Sequence, residues 1–436
     1  MRRQGMFFSV VGLAVGVLAS VQPAGASSET DALINKLVEK KILSVEEAQD
    51  VRNEMAQDAK SLADAREVET KEVVKKMAGG SWLDKVKWGG DLRLRHETQR
   101  REPAVDRNRE RFRLRFGFKA NPVDPLEVGV RLATGAAGDP LSTNQSFAAT
   151  FDKKAIFVDQ AYAKYTPWSW VSFIGGKMEN PYVTIPEGIV WDGDVTPEGV
   201  ALQWKSPVAL PVLGKILPVK PFVNVGGFVL SELANDAGDP GLYGVQGGAD
   251  IHLPLGMTFQ PAVAWYDFIG IQGVATANIT GTPAGNTTTA TGATAKFASD
   301  YNLVSTTGKL TLPEIMGQTV ALLADYTCNT DQKNTDEEVD DGGAYTVGAE
   351  VGKVTEKFGS WKAYGFRKRL ETDATFGALT DSDFGGGGTN HQGYIFGLQM
   401  GLNKYASLGL KYFRTDEIEG TQNRFDTFQA DVQLKY

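Results

Sequence analysis

The sequence ends in the stretch RFDTFQADVQLKY, residues Arg424 to Tyr436. Apolar and polar residues alternate along it: Phe428, Ala430, Val432, Leu434 and Tyr436 share one parity, and Gln429, Asp431, Gln433 and Lys435 share the other. Strict alternation predicts a strand with one apolar and one polar face. A terminal strand that stops on an aromatic residue is typical of the closing strand of a membrane β-barrel. The stretch therefore predicts an all-β transmembrane barrel.

The composition agrees with this fold and excludes some function classes. The chain has 436 residues, 49 glycines, a single cysteine and a formal net charge of -8. One closed barrel can absorb more than three hundred residues, so this length does not require several domains. The lone Cys328 excludes an intramolecular disulfide. The absence of a basic excess argues against a nucleic-acid partner.

The N-terminus has the three parts of a secretory signal. Arg2 and Arg3 precede an apolar run over residues 6–21, and the small residues Ala24-Gly25-Ala26 follow. We predict that residues 1–26 are a signal peptide cleaved after Ala26. The alternative is an uncleaved anchor, which the shortness of the run disfavours. Later residues contain no apolar run of spanning length, so residence in a membrane would depend on strands.

Residues 27–80 differ from the rest of the chain because they are rich in Glu, Lys and Ala and nearly free of aromatic residues. Apolar residues recur at helical spacing, and Ser44 with Glu47 forms the signature of a capping box. Two interpretations stay open. The segment is either a periplasmic coiled-coil arm that trimerises or contacts peptidoglycan, or a weakly ordered polar helix. Gly79-Gly80 marks the predicted boundary with a barrel over residues 81–436.

From Lys85 onward the periodicity changes to two, which predicts sixteen antiparallel strands. They lie near residues 86–100, 108–120, 126–134, 155–166, 170–178, 198–206, 219–231, 242–253, 256–268, 297–311, 317–328, 342–353, 360–370, 391–402, 405–415 and 423–436. Short connections such as 121–125 alternate with long polar ones such as 178–197, as periplasmic turns and outer loops do in bacterial barrels. A soluble sandwich, propeller or β-helix is the alternative, but no internal repeat supports it.

Six arginines share one parity of the first three strands, opposite apolar residues such as Leu92 and Phe112. They are Arg93, Arg95, Arg111, Arg113, Arg115 and Arg131. An arginine that faces lipid at mid-depth costs about 2–4 kcal/mol, so we predict that this parity lines the lumen. The set is either a positive ladder that attracts anions or a wall neutralised by acidic residues. The candidate acidic partners are Asp91, Glu97, Glu127 and Asp159. Arg367 and Arg369 on a later strand predict an ordinary polar lumen there.

The third outer loop, residues 178–197, combines acidic residues with apolar ones. The acidic residues are Glu179, Glu187, Asp192 and Asp194. Apolar residues such as Ile185 and Ile189 are unusual in a solvated loop and predict buried anchors. We expect the loop to fold into the barrel and narrow it opposite the arginines, where a transverse field would orient polar solutes. The alternative is an extracellular cap packed on neighbouring loops.

Four stretches carry a resemblance to a known family: DALINKLVEKKILSVEEAQ in the arm, WGGDLRLRHE in the first strand, NRERFRLRFGF in the second and YVTIPEGIVWDGD in the third loop. The chain resembles the bacterial outer-membrane porin superfamily, and most closely the group named "putative porin". The resemblance implies a trimeric, sixteen-stranded channel narrowed by its third loop. Phosphate-selective porins also have lumenal arginine ladders, but here the ladder is confined to the early strands. Tyr436 stands where the family usually has Phe.

Other chemistry is weakly represented. His96, His252 and His391 lack metal-ligand spacing, and the acidic loop 328–341 lacks the EF-hand pattern, so we predict no metal and no cofactor. His391 with Asp381 or Asp383 is the sole candidate catalytic dyad and belongs to no motif, so we predict no enzyme. The Thr- and Gly-rich residues 275–295 predict a mobile surface loop.

These observations favour a protein of the bacterial outer membrane that contacts its lipid and forms a homotrimer. The predicted function is passive diffusion of small hydrophilic solutes, with anion preference left open. Two alternatives remain: a channel specific for a sugar or phosphate, and a structural protein whose arm tethers the outer membrane to the cell wall.

Overall fold

The computed structural model describes residues 34–58, 60–61, 85–212, 217–233, 238–332 and 342–436. The chain divides into two units between Ser81 and Trp82. The predicted signal peptide and much of the predicted arm lie outside the described residues. In the described part of the chain, the helices are too short or too polar to span a bilayer.

The first unit contains helical residues 34–39 and 45–58. The second of these segments begins with the predicted capping box. The Ser44 amide donates to Glu47 Oε2 at 2.8 Å, and the Glu47 amide donates to Ser44 Oγ at 3.1 Å. This reciprocal pair satisfies two backbone donors that the first helical turn leaves free.

In its described residues, the second unit consists of strands joined by loops and four short 3-10 turns. The strands are β1 Val86–Arg101, β2 Arg107–Val123, β3 Leu126–Thr134, β4 Gln145–Ser146, β5 Ile156–Trp168, β6 Val171–Lys177, β7 Glu198–Lys205, β8 Leu210–Val212, β9 Leu217–Val229, β10 Gly241–His252, β11 Thr258–Ile269, β12 Tyr301–Ile315, β13 Gln318–Asn329, β14 Gly343–Gly352, β15 Trp361–Leu370, β16 His391–Gly401, β17 Ala406–Glu417 and β18 Arg424–Lys435. The 3-10 turns are Pro254–Gly256, Thr276–Asn278, Gly292–Thr294 and Gly377–Leu379.

Sixteen long strands form one closed antiparallel barrel, as the sequence predicts. Each pairs with its neighbours in the chain, and β18 pairs back onto β1, with Leu94 opposite Val432 and Arg95 opposite Asp431. The two short strands were not predicted. β4 pairs with β2, and β8 pairs with β9 within the long 206–217 connection. Strands of two or three residues are too short to show the apolar–polar alternation on which the sequence prediction depends.

Apolar side chains lie on the outer face of the barrel and charged side chains on the inner face, the reverse of a soluble protein. On β1, Leu94 is 46% exposed, whereas Arg95 and Glu97 are 5% and 0% exposed. The same outward apolar face continues on β16 with Tyr394, Phe396 and Leu398. Charged residues are rarely buried and large apolar patches rarely exposed in water, so this arrangement suits a barrel surrounded by lipid.

Strand β15 shows that the lumenal assignment of Arg367 and Arg369 was wrong. Lys368 is the inward residue and is 0% exposed. The Arg367 guanidinium lies 4.8 Å from the ring of Tyr394, which is 49% exposed on the outer face. The physical reason is that β15 has basic residues on both parities, so charge alone does not decide which parity faces the lumen.

Candidate functional site

The loop between β6 and β7, residues 178–197, is here called the constriction loop. Its apolar side chains are buried, and Ile189 is 0% exposed. They belong to one apolar cluster with inward residues of the barrel such as Phe228 on β9 and Tyr266 on β11. The ring of Tyr182 meets that of Tyr266 edge-on, with centroids 5.0 Å apart. The loop therefore packs against the inner wall, and its apolar residues are the anchors.

Polar side chains of the wall also bind the backbone of this loop. Asp325 on β13, Thr346 on β14 and Lys368 on β15 bond to backbone atoms of residues 187–189 at 3.0, 3.1 and 2.8 Å. All three side chains belong to buried residues. A buried backbone group without a partner costs about 1–3 kcal/mol, so these bonds specify one position for the loop.

Two of the acidic residues of the constriction loop are enclosed. Glu187 Oε1 lies 2.7 Å from Lys411 Nζ on β17. Burial raises the pKa of Glu187, and the Lys411 ammonium opposes this shift. Burial, followed by the charge of Asp381, raises the pKa of Asp192 to about 8. In both cases burial disfavours the ionised form of the carboxyl group.

The other two acidic residues reach the opposite wall. Asp194 Oδ1 lies 3.5 Å from Arg115 Nη1 and 3.9 Å from Arg113 Nη1 on β2. Glu179 Oε1 lies 3.6 Å from Lys119 Nζ at a more exposed position of the same strand. The constriction loop therefore has its apolar side on one wall and acidic side chains toward the other.

The arginines occupy adjacent positions of β1, β2 and β3. In the register of β1 with β2, Arg93 lies opposite Arg113 and Arg95 lies opposite Arg111. Asp91 opposite Arg115 and Glu97 opposite Arg109 flank these two pairs. We call this surface, together with Arg131 on β3, the arginine wall.

Most of the arginine wall is ion-paired. The pairs are Arg95 with Asp431 at 2.7 Å, Arg111 with Glu97 at 3.2 Å, Arg113 and Arg115 with Asp91 at 2.7 Å each, and Arg131 with Asp159. Glu127 accepts from the Tyr162 hydroxyl at 3.0 Å instead of pairing with an arginine. Arg93 differs, because its Nη2 donates to Asn144 Oδ1 at 2.7 Å and no carboxylate of the described chain lies within 4.0 Å of it. The positive charge of this wall is therefore largely, but not completely, balanced.

Two open cavities lie beside the arginine wall. The larger, of about 730 Å³, separates the wall from the constriction loop, and its lining includes Arg93, Arg95, Arg113, Arg115, Arg131, Glu179, Glu187, Asp192 and Asp194. The smaller, of about 440 Å³, lies toward the outer loops and is lined by Arg111 together with Arg101, Arg107 and Arg109. The structure thus places all of the predicted site residues beside these cavities, with Arg111 set apart from the rest.

A second loop, residues 371–390 between β15 and β16, also enters the barrel, and we call it the strap loop. Asp383 Oδ2 lies 3.2 Å from Arg95 Nη1 on the arginine wall. The Ser382 hydroxyl donates to the Leu141 carbonyl at 3.3 Å, and the Ser382 amide donates to Asp192 Oδ2 at 2.9 Å. Both cavities include Ser382 and Asp383 in their linings, so these residues lie between them.

Sequence reasoning missed the strap loop although a signal was present. Phe376 and Phe384 stand in an otherwise polar, glycine-rich stretch and are 1% and 0% exposed. This is the same kind of signal that identified the apolar anchors of the constriction loop. Arg95 holds the pKa of Asp383 near 2, against a burial effect that alone would raise it.

Residues 275–295 were predicted as a mobile surface loop; many of them are exposed, but the stretch also supports the strap loop. Asn286 is 5% exposed and its Nδ2 donates to the carbonyls of Thr372 and Thr375 at 2.8 and 2.9 Å. Gly388 has φ +86° and a Cβ at this position would lie 2.3 Å from the Ala284 carbonyl oxygen. Buried amide bonds and close backbone approach outweigh the polar composition that suggested mobility.

The candidate catalytic dyad does not form. Asp383 is engaged by Arg95, and Asp381 Oδ1 accepts from the Asp383 amide at 2.9 Å. His391 Nδ1 is buried without a hydrogen-bond partner in the described residues. His96, which was not part of the dyad, lies 2.6 Å from Glu110 at an exposed position. Within the described segments, no group of three or more His, Cys, Asp or Glu residues has the geometry of a metal site.

A family model described as "Putative porin" matches residues 101–302 and 277–436. The chain belongs to this porin family. The family and the closed barrel together place this porin in the bacterial outer membrane as a channel. No curated protein matches its sequence.

Solved outer-membrane proteins resemble the chain at low sequence identity. OprB of Pseudomonas putida, in its high-pH structure, is 11% identical with a TM-score of 0.52, covering 81% of this chain and 95% of that one. In-vitro folded OmpT of Vibrio cholerae, in its trimer form, is 12% identical with a TM-score of 0.43, covering 80% and 99%. OmpF of Salmonella typhi in complex with daunomycin is 11% identical with a TM-score of 0.46, covering 80% and 97%. The likeness to OprB supports the barrel fold of this porin.

Proposed function

We propose that this porin allows small hydrophilic solutes to diffuse passively between the arginine wall and its two inserted loops. One observation carries the proposal: arginines line one side of the 730 Å³ cavity and carboxylates of the constriction loop line the other. Opposite charges across a narrow passage set up a transverse field that orients dipolar solutes. Pockets that bind drug-sized molecules have volumes of about 300–1,000 Å³. The cavity between the arginine wall and the constriction loop therefore has room for a small solute.

The proposal is tested with folded protein in planar lipid bilayers and in liposomes. We expect stepwise conductance, and swelling rates of liposomes that fall steeply as neutral sugars increase in size. A preparation that is folded, as judged by heat-dependent electrophoretic mobility, and yet never conducts contradicts the proposal.

A modest anion preference is the second candidate, and the unpaired Arg93 favours it. Because the other arginines of the predicted set have carboxylate partners, the net positive charge that lines the passage is small. We expect the zero-current potential in a potassium chloride gradient to have the sign of slight anion selectivity. The opposite sign rejects the preference and leaves the channel itself intact. A solute-specific channel would instead show saturable block of current by one sugar or anion.

We also propose a homotrimer whose N-terminal arm lies in the periplasm and contacts peptidoglycan. The polar helices after residue 33 are compatible with this role, and the family and fold favour a channel without enzymatic activity. The mass of detergent-solubilised protein tests the trimer. Binding to purified peptidoglycan, with and without residues 27–80, tests the role of the arm. A structural tether is favoured if deletion leaves conductance unchanged but weakens the envelope.

A further inference from the structure

Two like-charged pairs face each other in the arginine wall. Arg93 lies directly opposite Arg113, and Arg95 directly opposite Arg111, in the register of β1 with β2. Like charges in directly opposed positions of a sheet destabilise it unless negative charge compensates them. The positions of the nearby carboxylates therefore show which of these arginines lacks a negative partner.

Compensation reaches three of these four arginines. Asp91 lies 2.7 Å from Arg113, Glu97 lies 3.2 Å from Arg111, and Asp431 makes a bidentate contact with Arg95 at 2.7 and 2.8 Å. These carboxylates come from β1 itself and from its other neighbour, β18. At the position of Arg93, the residue across from it on β18 is the neutral Gln433.

Arg93 is left with neutral hydrogen-bond partners. Its Nη2 donates to Asn144 Oδ1, and its Nε is buried with no partner in the described structure. A guanidinium has five N–H donors arranged in a planar fork that matches an oxyanion. Arg93 lines the 730 Å³ cavity, so a solute in the passage can reach it. In the described residues, Arg93 thus has no carboxylate at ion-pair distance, and its Nε has no hydrogen-bond acceptor.

We propose that Arg93 anchors an oxyanion-binding site in the passage, with Arg113 supplying the second positive charge. The ligand class is a small oxyanion, such as inorganic phosphate or sulfate. The site rests on the proposed channel function, which it deepens. Binding at one unpaired arginine is weak enough for release, as conduction through an occupied site requires.

The test measures chloride current through the folded full-length protein while inorganic phosphate is added on both sides. Phosphate is expected to reduce the wild-type current saturably. Arg93→Gln should raise the half-blocking concentration about tenfold or more, the effect of losing a hydrogen bond to a charged group. Arg93→Lys should give an intermediate value because it keeps the charge and loses the planar fork.

Arg100→Gln is the matched control. It removes one positive charge by the same substitution at the exposed outer end of β1, where Arg100 is already paired with Asp106 and lines neither cavity. The half-blocking concentration should then stay within about twofold of wild type. Equal shifts in the two Gln variants, or a conducting wild type that phosphate does not block, overturn the site and leave the channel standing.

A folded protein that does not conduct contradicts the channel instead, and the site is then tested by titration calorimetry with phosphate. The site is supported if the wild type gives heat of binding and the Arg93→Gln variant gives none. No heat in the wild type rejects it.

Discussion

At the residue scale, Lys368 is unusual because its ammonium is enclosed in the barrel without an acidic partner at ion-pair distance in the described residues. It donates to the Gly188 carbonyl at 2.8 Å and lies 5.3 Å from the Phe384 ring. Gly188 belongs to the constriction loop and Phe384 to the strap loop. One side chain of the wall thus holds both inserted loops, at the cost of removing its charge from water.

We therefore predict that Lys368→Met loosens both loops. The change leaves the Gly188 carbonyl without its donor, and the bond is worth about 1–3 kcal/mol. Single-channel recordings should show noisier current and a higher mean conductance than wild type. Lys357→Met, the same substitution at an exposed turn, is the control and should match wild type. Equal noise in the two variants would show that Lys368 does not position the loops.

The raised pKa of Asp192 makes a pH-dependent prediction. Because its pKa is about 8, the side chain is neutral at pH 6 and ionised at pH 9. Raising the pH across this range adds one negative charge to the passage and should shift the zero-current potential toward cation selectivity. An unfolded Asp ionises near 3.9. The folded state thus binds the additional proton between about pH 4 and 8, and stability falls as pH rises through that window.

Asp192→Asn provides the comparison for this titration. The amide keeps the shape of the side chain and cannot ionise, so its selectivity should be the same at pH 6 and pH 9. A shift that persists in Asp192→Asn would assign the titration to another group, such as Glu187.

At the element scale, the strands were predictable because each exposes one face to lipid and one to the lumen. That requirement imposes a period of two, which β1, β2 and β18 show clearly. The constriction loop was predictable from Ile185 and Ile189 for a similar reason, since apolar residues need a dry surface. The strap loop was missed although Phe376 and Phe384 carry the same signal. Its contacts with Asp192 and Leu141 were not predictable, because they join segments far apart in sequence.

The strap loop supplies a prediction of its own. Asp383→Asn removes the ion pair with Arg95, which lies between the two cavities. Arg95 keeps its bidentate partner Asp431, so the barrel wall should remain intact. We expect a larger mean conductance from a barrel that still folds, with a loss of stability limited to that of the ion pair. Asp106→Asn, which removes one charge at the outer end of β1 and β2, is the control. An unchanged conductance in Asp383→Asn would show that the strap loop does not limit flow.

At the scale of the whole molecule, the alternation of apolar and polar residues that predicts the strands also indicates that lipid surrounds the barrel. The exposed outer face carries Leu410 and Tyr412 on β17 and Tyr394 and Phe396 on β16. The charged groups, including Arg95 and its partners, are turned inward. Exposing this apolar face to water would be unfavourable over the whole circumference, so folding and membrane insertion are coupled.

This coupling predicts that an outward charge at mid-strand opposes insertion. Leu410 is 46% exposed near the middle of β17, so Leu410→Arg should destabilise the barrel in lipid by about 2–4 kcal/mol. Leu255→Arg is the matched control, because Leu255 is 84% exposed in the turn between β10 and β11, where the new charge reaches water. The measurement is the denaturant midpoint for refolding into lipid vesicles. A large loss for Leu410→Arg with little change for Leu255→Arg is expected. Equal midpoints for the two variants would mean that the outer face of β17 does not contact the hydrocarbon of the bilayer.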